Sequence, residues 1–340
     1  MLEEVELGRS GLRAPALGFG CAALMGRTGK KDSLRALSAA WEEGIRLFDT
    51  ARSYGYGESE ALLGRFLKGK RDAAIVATKF GILSAPQGAW KRAAKSAARS
   101  LLSIVPPARS LVRRAAATQF SANQFTIPVL QRSIEDSLTK LGTDYVDILF
   151  MHGAPASVLE QEDLLEAMGQ LVDQGKVRLA GLSGEPAVVE TALEQQTPPL
   201  RAMQFPCNVF DISAAFRLIG QNTTGMLLAA NHPFGGVMRV QACRTMLREL
   251  SANPNIDPVL REKLGDIEDQ TLAEIVLDCI LRNTGIHVVI PSMMRVEHVR
   301  ANARAVSHSR FTDAEVGIIR DLLSDIPNRQ SVGHQARLLG

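Results

Sequence analysis

Short apolar runs rich in β-branched residues alternate along the chain with stretches whose apolar residues recur at helical spacing. The apolar runs predict eight strands, at 16–20, 46–50, 74–79, 146–152, 177–183, 201–208, 226–230 and 287–291. Helical patterns fill most of the gaps, for example at 33–43, 129–141, 164–173 and 272–282. About eight successive strand–helix units are what a closed parallel barrel needs. The alternation therefore predicts an α/β fold, a (β/α)8 TIM barrel.

Several segments lie outside this alternation. The start reads as a β-hairpin, in which residues 4–7 are followed by a Gly-Arg-Ser-Gly turn and a short return strand. Two gaps, 82–125 and 236–269, are longer than a simple connection between a strand and a helix. We expect them to be insertions at the catalytic face, where barrels carry their specificity. The C-terminal tail covers about 327–340. No linker or sharp change of composition divides the chain, so we expect one domain over residues 1–340.

Four chemically useful side chains lie at or just after the ends of predicted strands. Asp49 lies near the end of the strand at 46–50 and Tyr54 follows that strand, while Lys79 and His152 end the strands at 74–79 and 146–152. The carboxyl ends of the strands of a parallel barrel meet at one face, where active sites form. The sequence therefore predicts that a carboxylate, a phenol, an amine and an imidazole share one site.

This set makes sense as an acid catalyst. Tyr54 would protonate a carbonyl oxygen, and Lys79, held by Asp49, would lower the pKa of the phenol by favouring the phenolate. His152 would orient the carbonyl or share the proton. A lone histidine or lysine at a strand end is often structural, but a buried amine is rare unless it is paired. We therefore interpret the set as catalytic.

The order of the motifs in the chain resembles that of the aldo-keto reductase family. The motifs that carry the resemblance are Gly18-Phe19-Gly20, Asp49-Thr50-Ala51, the run from Tyr54 to Glu60, Thr78-Lys79-Phe80-Gly81, Ser137-Leu138, the run from Leu141 to Asp147, His152, Gly175-Lys176-Val177-Arg178, Gly181-Leu182-Ser183, Gln204 with Asn208, Pro233-Phe234-Gly235, Val289-Ile290-Pro291 and Asn302. The resemblance implies a (β/α)8 barrel whose bottom is closed by the N-terminal hairpin. It also implies hydride transfer with a nicotinamide cofactor and without a metal.

Composition and charge agree with such an enzyme. A chain of 340 residues with 46% hydrophobic content can fill one large barrel. A net charge of +3 is too small to indicate a nucleic-acid partner. The four cysteines, Cys21, Cys207, Cys243 and Cys279, have neither disulfide-framework nor metal-ligand spacing, which favours a reducing compartment. With no N-terminal signal and no apolar run long enough to span a membrane, we expect a cytoplasmic protein.

The resemblance also assigns the nicotinamide end of the cofactor site. Ser183 and Gln204 match residues that bind the nicotinamide amide, and Asp49 is a further expected cofactor contact. Two positions depart from the family pattern. Gly184 stands where the family has Asn, and Asn231 stands where it often has a Tyr that stacks on the nicotinamide ring. A neighbouring group or water would then replace the missing amide, or the ring is held less firmly.

The remaining cofactor contacts are expected in loops near the pyrophosphate and adenosine. We assign the loop Pro233-Phe234-Gly235 to the pyrophosphate, although such a loop is also an ordinary turn. The other expected contacts are Gly20, Cys21, Ser292, Arg295, His298 and Asn302. Arg295 is the candidate for a 2′-phosphate, since selective binding of that dianion needs Lys or Arg. This favours NADP with NAD possible, and the alternative is that Arg295 begins a helix and faces solvent.

The first insertion has an unusual charge pattern. No Asp or Glu occurs from 73 to 134, and the stretch 91–114 interleaves Lys and Arg with apolar residues. Such a segment could lie on a membrane surface or favour an anionic substrate or an acidic partner, and the alternative is a solvated insertion that packs on the barrel. Trp90, Phe120 and Phe125 flank it and are candidates for the wall of the substrate pocket, and local packing is the alternative.

Together these features predict an NAD(P)H-dependent oxidoreductase acting on an aldehyde, a ketone or a sugar hemiacetal, with Tyr54 as general acid and base. A regulatory barrel that binds cofactor and acts through a partner is the alternative from another class. The departures at Gly184 and Asn231 favour that alternative, whereas the intact catalytic set argues against it. A cofactor-dependent reaction other than simple reduction is a third possibility.

Overall fold

Eight parallel strands form one sheet in the computed structural model, which describes residues 2–84, 120–121, 124–265 and 267–324. The strands are β3 (Phe19–Gly20), β4 (Leu47–Asp49), β5 (Ile75–Phe80), β8 (Val146–His152), β9 (Val177–Ser183), β10 (Leu200–Pro206), β11 (Leu227–Asn231) and β12 (Val288–Ile290). Each pairs in parallel with the next in this order. The two outer strands also meet, since the Gly18 nitrogen donates to the Val289 oxygen at 2.8 Å and the Gly20 nitrogen to the Pro291 oxygen at 2.9 Å. The predicted barrel is therefore confirmed.

The predicted N-terminal hairpin is also present, as β1 (Glu4–Glu6) paired antiparallel with β2 (Arg13–Pro15). Leu7, Leu12 and Ala14 of this hairpin are buried and belong to the apolar cluster that fills the barrel interior. Burial of these side chains excludes water from the amino-terminal end of the barrel.

Alternation along each strand separates the barrel interior from its outer surface. Leu47, Ala77, Phe150, Ala202 and Ala229 lie in the interior cluster. Their chain neighbours pack instead in the outer cluster, beneath the helices. The residue two positions further along each of these strands must also face the interior, now at its carboxyl end. Those positions are occupied by Asp49, Lys79, His152, Gln204 and Asn231.

In the described part of the chain, helices cover the outside of the barrel. They are α1 (Lys30–Glu42), α2 (Ser59–Leu67), α3 (Ile127–Leu141), α4 (Glu162–Asp173), α5 (Pro186–Glu194), α6 (Ile212–Gln221), α7 (Val237–Ala252), α8 (Pro258–Leu264), α9 (Asp269–Leu281), α10 (Val296–Ser307) and α11 (Asp313–Ser324). In α3, Leu130, Ile134, Leu138 and Leu141 form a buried stripe at helical spacing. Gly142 then ends the helix in the left-handed conformation, with φ 67°. The four helices expected at 33–43, 129–141, 164–173 and 272–282 match α1, α3, α4 and α9.

The two expected insertions differ in how much the structure describes. The first leaves and re-enters the barrel through a short ribbon, in which β6 (Leu83–Ser84) pairs antiparallel with β7 (Phe120–Ser121). The basic stretch 91–114 and Trp90 lie outside the described residues, as does the tail at 327–340. The second insertion, 236–269, contains α7 and α8. No helix among the described residues has the length and apolar character needed to cross a membrane.

Candidate active site

The carboxyl end of the barrel brings together the four residues that the sequence singles out. The Lys79 Nζ atom lies 2.5 Å from Asp49 Oδ1, and it also lies 4.9 Å from the centre of the Tyr54 ring. The centres of the Tyr54 and His152 rings are 5.7 Å apart, and the two rings are almost perpendicular. Adjacent strands β4 and β5 supply the ion pair, and the next strand in the sheet, β8, supplies the imidazole.

Lys79 is held as an ammonium inside the barrel. Its side chain is 1% exposed, and Nζ donates to Asp49 and, at 3.0 Å, to the Thr50 carbonyl oxygen. Burial by itself lowers the pKa of Lys79, but attraction to Asp49 and Tyr54 outweighs burial and the pKa is raised. Lys79 therefore places a fixed positive charge beside the phenol.

The Tyr54 phenol responds to two opposing effects. Burial raises its pKa, whereas the nearby Lys79 ammonium lowers it. Lys79 thus acts on the pKa in the expected direction, but the effect of burial on the pKa is larger. The pKa of Tyr54 therefore lies above its ordinary value. The sequence could not show this larger effect of burial on the pKa, because the degree of burial of Tyr54 depends on the packing around it.

A tight turn presents Tyr54 to the site. Gly55 follows it with φ 58°, and a Cβ atom at this glycine would lie 2.3 Å from the Leu24 carbonyl oxygen. A larger residue would collide with the main chain there, so glycine is required for this turn. The turn continues directly into α2, which fixes the phenol relative to that helix.

His152 is neutral at physiological pH. Burial and the Lys79 ammonium together lower its pKa to about 3. Its Nδ1 atom is buried and has no hydrogen-bond partner among the described residues. A neutral imidazole with an unengaged nitrogen can orient a polar ligand, but it is a poor proton source at neutral pH.

A chain of hydrogen bonds extends from the ion pair to two further strands. Gln204 Nε2 donates to Asp49 Oδ1 at 3.1 Å, and Ser183 Oγ donates to Gln204 Oε1 at 2.8 Å. The structure thus links Ser183 and Gln204 to Asp49 by hydrogen bonds. Both polar groups of Gln204 are engaged, so its side chain is fixed in one orientation.

The two departures from the family pattern lie at the same end of the barrel. Gly184 follows Ser183, and a Cβ atom there would come within 3.3 Å of Leu182 and 3.4 Å of the Ala154 carbonyl oxygen. The position therefore holds a side chain only if these neighbours give way slightly. Asn231, at the end of β11, has a buried Oδ1 atom with no hydrogen-bond partner among the residues described.

The loop after β11 leads into the amino terminus of α7. Pro233 is buried and Phe234 is half-buried, whereas Gly235 and Gly236 are exposed with φ of 61° and 89°. No side chain caps the first turn of α7, so its main-chain N–H groups remain available. Such a helix terminus attracts anions.

The residues expected near adenosine surround the junction of β3 and β12. Gly20 contacts Pro291 through its main chain, and Ser292 Oγ lies 3.4 Å from the Gly20 carbonyl oxygen. Asn302 is buried in α10, while Arg295 is exposed just before that helix. Within the described part of the chain Arg295 makes no ion pair.

Two other residues that were expected to contact the cofactor have side chains that are less accessible to a ligand. Cys21 is completely buried and burial raises its pKa, so only its main chain can touch a ligand. His298 lies 3.8 Å from Asp269, a contact that becomes an ion pair only when the histidine is protonated.

The substrate candidates are only partly described. Trp90 lies outside the described residues, and Phe120 is placed in β7 by its main chain alone. Phe125, at the return of the first insertion, packs against Phe80 at 5.9 Å between ring centres and is buried. That aromatic residue is therefore part of local packing.

Sequence reasoning missed a polar layer behind the ion pair. Ser59 and Glu60 of α2 bond to Thr50 and Thr78, the chain neighbours of the two charged residues. Their position at the start of a helix just after Tyr54 was visible in the sequence. The partners were not, because they depend on how the helix packs on the barrel.

A parallel barrel with a phenol, an ammonium, a carboxylate and a neutral imidazole at its carboxyl end defines an α/β-barrel enzyme equipped for acid–base chemistry. Residues 16–324 match the family model described as the Aldo/keto reductase family. The chain therefore belongs to the aldo-keto reductase family, whose members are NAD(P)-dependent oxidoreductases that generally reduce carbonyl groups. The family resemblance of the sequence is confirmed.

Individual relatives agree over much of the chain. L-galactose dehydrogenase from Arabidopsis thaliana is 25% identical over 340 residues, covering 94% of this chain and 92% of the plant protein. Aldo-keto reductase YhdN from Bacillus subtilis is 31% identical over 216 residues, which cover 62% of this chain and 55% of YhdN. The holo form of aldo-keto reductase AKR11C1 from Bacillus halodurans shares the fold, with a TM-score of 0.68, 23% identity and coverage of 95% and 96%.

Proposed function

We propose that this protein transfers a hydride to or from an aldehyde, a ketone or a sugar hemiacetal with NAD(P)H, and that Tyr54 is its general acid and base. The observation that carries the proposal is the joint placement of Tyr54, Lys79, Asp49 and His152. An ammonium fixed beside a phenol favours proton donation from the phenol to a carbonyl oxygen, because it stabilises the phenolate that remains. A purely regulatory barrel has no comparable use for it.

Each catalytic residue has a distinct part in the reaction. Tyr54 donates its proton to the carbonyl oxygen in reduction, and such general acid catalysis contributes ~10²–10⁴-fold. Lys79 stabilises the phenolate that remains, and Asp49 holds the ammonium in place. His152, with its pKa at about 3, orients the carbonyl oxygen by hydrogen bonding and leaves the proton transfer to Tyr54. When bound, the reduced nicotinamide supplies the hydride.

The residues beside the catalytic set fit a nicotinamide carboxamide, which needs hydrogen-bond donors and acceptors. Gln204 already engages its nitrogen with Asp49 and its oxygen with Ser183. Gly184 offers no side chain. The unpartnered Oδ1 of Asn231 supports the idea that this amide makes the contact left open at Gly184. Asn231 then binds the cofactor by hydrogen bonding in place of ring stacking.

The other cofactor contacts follow the loops after β11 and β12. The uncapped start of α7, with Pro233, Phe234 and Gly235 before it, suits the pyrophosphate. The adenosine end is bordered by Gly20, Ser292, His298 and Asn302. The exposed guanidinium of Arg295 can pair with a 2′-phosphate through parallel hydrogen bonds, which supports NADP as the preferred cofactor and NAD as the alternative.

The substrate is a small carbonyl compound or its hemiacetal. A relative named for the sugar L-galactose covers nearly the whole chain, which supports inclusion of sugar hemiacetals in this class. The basic stretch 91–114 would favour an anionic member of it, with Trp90 and Phe120 as candidate wall residues. Replacing Lys91, Arg92, Lys95 and Arg99 with Gln should then raise KM for an anionic substrate and leave a neutral one unaffected.

A direct test combines cofactor binding with a carbonyl panel. The protein is titrated with NADPH and NADH, and cofactor oxidation is then followed with aldehydes, ketones and sugars of matched size. We expect turnover by the wild type and its near-complete loss in Tyr54→Phe, with cofactor affinity retained. Wild-type turnover by Tyr54→Phe on a verified substrate would contradict the assignment of the acid.

A further inference from the structure

Glu60, in the first turn of α2, is a buried carboxylate directly behind the catalytic site. Only 1% of this residue is exposed. Its Oε1 atom accepts hydrogen bonds from Thr78 Oγ1 at 2.8 Å and from Ser137 Oγ at 2.6 Å. Lys140 Nζ lies 3.6 Å from Oε2, which has no hydrogen-bond partner among the described residues. Burial of a carboxylate is costly unless such partners compensate it, and the two hydroxyl groups and the ammonium do so here.

Ser59, the residue before Glu60, makes a second connection to the site. It is completely buried, and its Oγ lies 3.0 Å from Thr50 Oγ1 and 3.3 Å from the Cys21 carbonyl oxygen. Since Ser59 donates to the carbonyl, the Thr50 hydroxyl is the donor to Ser59. The carbonyl of Thr50 accepts the bond from Lys79 described above.

The two threonines flank the ion pair in sequence. Thr50 directly follows Asp49 and Thr78 directly precedes Lys79, and neighbouring side chains on a strand point to opposite sides. The charged residues therefore face the interior while the threonines face α2. The first turn of α2 thus bonds to both strands of the ion pair on their outer side. The same helix follows the turn that carries Tyr54.

We propose that Ser59 and Glu60 are positioning residues that set the distance between Lys79 and Tyr54 by holding Thr50 and Thr78. This inference rests on the proposed function of Tyr54 as the acid. The ion pair alone fixes Lys79 relative to Asp49, but it does not fix either strand relative to the phenol. A displacement of about 1 Å in a catalytic group can cost roughly 10²-fold in rate, so this second layer controls turnover.

The test compares Thr78→Val, which has the same shape without the hydroxyl, with Thr78→Ser, which keeps the hydroxyl. Thr78→Val should lower kcat by about tenfold or more, with little change in cofactor Kd or in KM. Thr78→Ser should recover most of that loss. A merely structural role predicts lower Tm in Thr78→Val with unchanged kcat, and that result would overturn the proposal.

A second readout does not depend on turnover. The chain has three tyrosines, so the phenolate absorbance of the protein minus that of its Tyr54→Phe variant isolates the Tyr54 titration. The pKa of Tyr54 should rise in Thr78→Val, because Lys79 is less well placed, and stay unchanged in Thr78→Ser. An equal pKa in both variants would refute the positioning role even if the wild type reduced no carbonyl in the panel. Absence of turnover alone would instead refute the proposed function.

A double variant tests whether Glu60 acts through Thr78. Glu60→Leu and Thr78→Val remove opposite ends of one hydrogen bond, so the double variant should be about as slow as the slower single variant. Glu60→Gln keeps an acceptor for Thr78 and should retain most of the wild-type kcat. Independent, multiplicative losses in the double variant would show that the two residues do not act through this contact.

Discussion

The substitution Lys79→Met removes the positive charge from the centre of the site with little change in side-chain length. In the wild type the ammonium lies 2.5 Å from Asp49 Oδ1, 3.0 Å from the Thr50 carbonyl oxygen and 4.9 Å from the centre of the Tyr54 ring. The thioether cannot replace any of these interactions. We therefore expect separate losses in stability and in catalysis.

The stability loss follows from the burial of Asp49. After the substitution this carboxylate, 4% exposed, keeps the Gln204 bond at 3.1 Å but loses its cation. Removing one partner of a buried ion pair costs about 3–5 kcal/mol. The loss should be measured as the free energy of unfolding in urea. The double variant Lys79→Met with Asp49→Asn removes both charges, so it should recover much of that stability.

The stability effect also has a defined pH dependence. The pKa of Lys79 is raised above its ordinary 10.5 in the folded protein. Its contribution is therefore complete below that value and is lost as pH rises through the higher pKa of the folded state. Lys79→Met should lack this alkaline loss of stability.

The catalytic loss follows from the phenol. The Lys79 ammonium lowers the pKa of Tyr54 against the effect of burial, so its removal should raise that pKa further. Loss of effective acid catalysis should reduce kcat by ~10²–10⁴-fold. The double variant should remain equally slow, which separates catalysis from folding. An unchanged pH–rate profile, or a stability change within about 0.5 kcal/mol as for a surface substitution, would refute this reasoning.

Three further predictions concern cofactor choice, the nicotinamide contact and acid stability. Arg295→Ala should weaken NADPH by roughly 1.5–3 kcal/mol and leave NADH nearly unchanged; equal losses in titrations with both would limit Arg295 to a structural role. Asn231→Ala should weaken NADPH and NADH alike, by about 1–3 kcal/mol, without affecting an adenosine 2′,5′-bisphosphate probe, and unchanged cofactor binding would exclude the contact. His152, whose pKa falls from 6.5 to about 3 on folding, makes stability fall as pH drops below 6.5. Between about pH 7 and 4.5 the free energy of unfolding should therefore fall less in His152→Gln than in the wild type. The difference should reach about 2–3 kcal/mol, at roughly 1.4 kcal/mol per pH unit, and identical pH dependence of stability in the two proteins would contradict the prediction.

Several strands could be predicted from the sequence almost to the residue. The runs 146–152 and 177–183 match β8 and β9, because both strands are long and central with apolar residues along nearly their whole length. The first and last strands are shorter than expected, at Phe19–Gly20 and Val288–Ile290. They meet where the barrel closes, and pairing geometry at the closure cannot be read from composition.

The convergence of Asp49, Tyr54, Lys79 and His152 could be predicted because strand ends in a parallel barrel converge. The electrostatics of these residues could not, since the pKa of Tyr54 depends on burial that only packing defines. The contacts of Ser59 and Glu60 were hidden for a similar reason. One hydrogen-bond partner of Glu60, Ser137, lies 77 positions away in sequence. Hydrophobic periodicity reports which face of a helix is buried, but not which polar groups it meets.

The ribbon formed by β6 and β7 has a consequence for how the insertion between Ser84 and Phe120 can change during evolution. Gly81, with φ 104°, lies against the Phe125 ring just outside the ribbon, so both ends of the insertion are anchored to each other and to the barrel. The entropy of closing a loop rises only slowly with its length. Segments of very different length can therefore be grafted between Ser84 and Phe120 while Lys79 keeps its place. The ribbon is therefore a position at which recombination can exchange the insertion without displacing the residues of the candidate site.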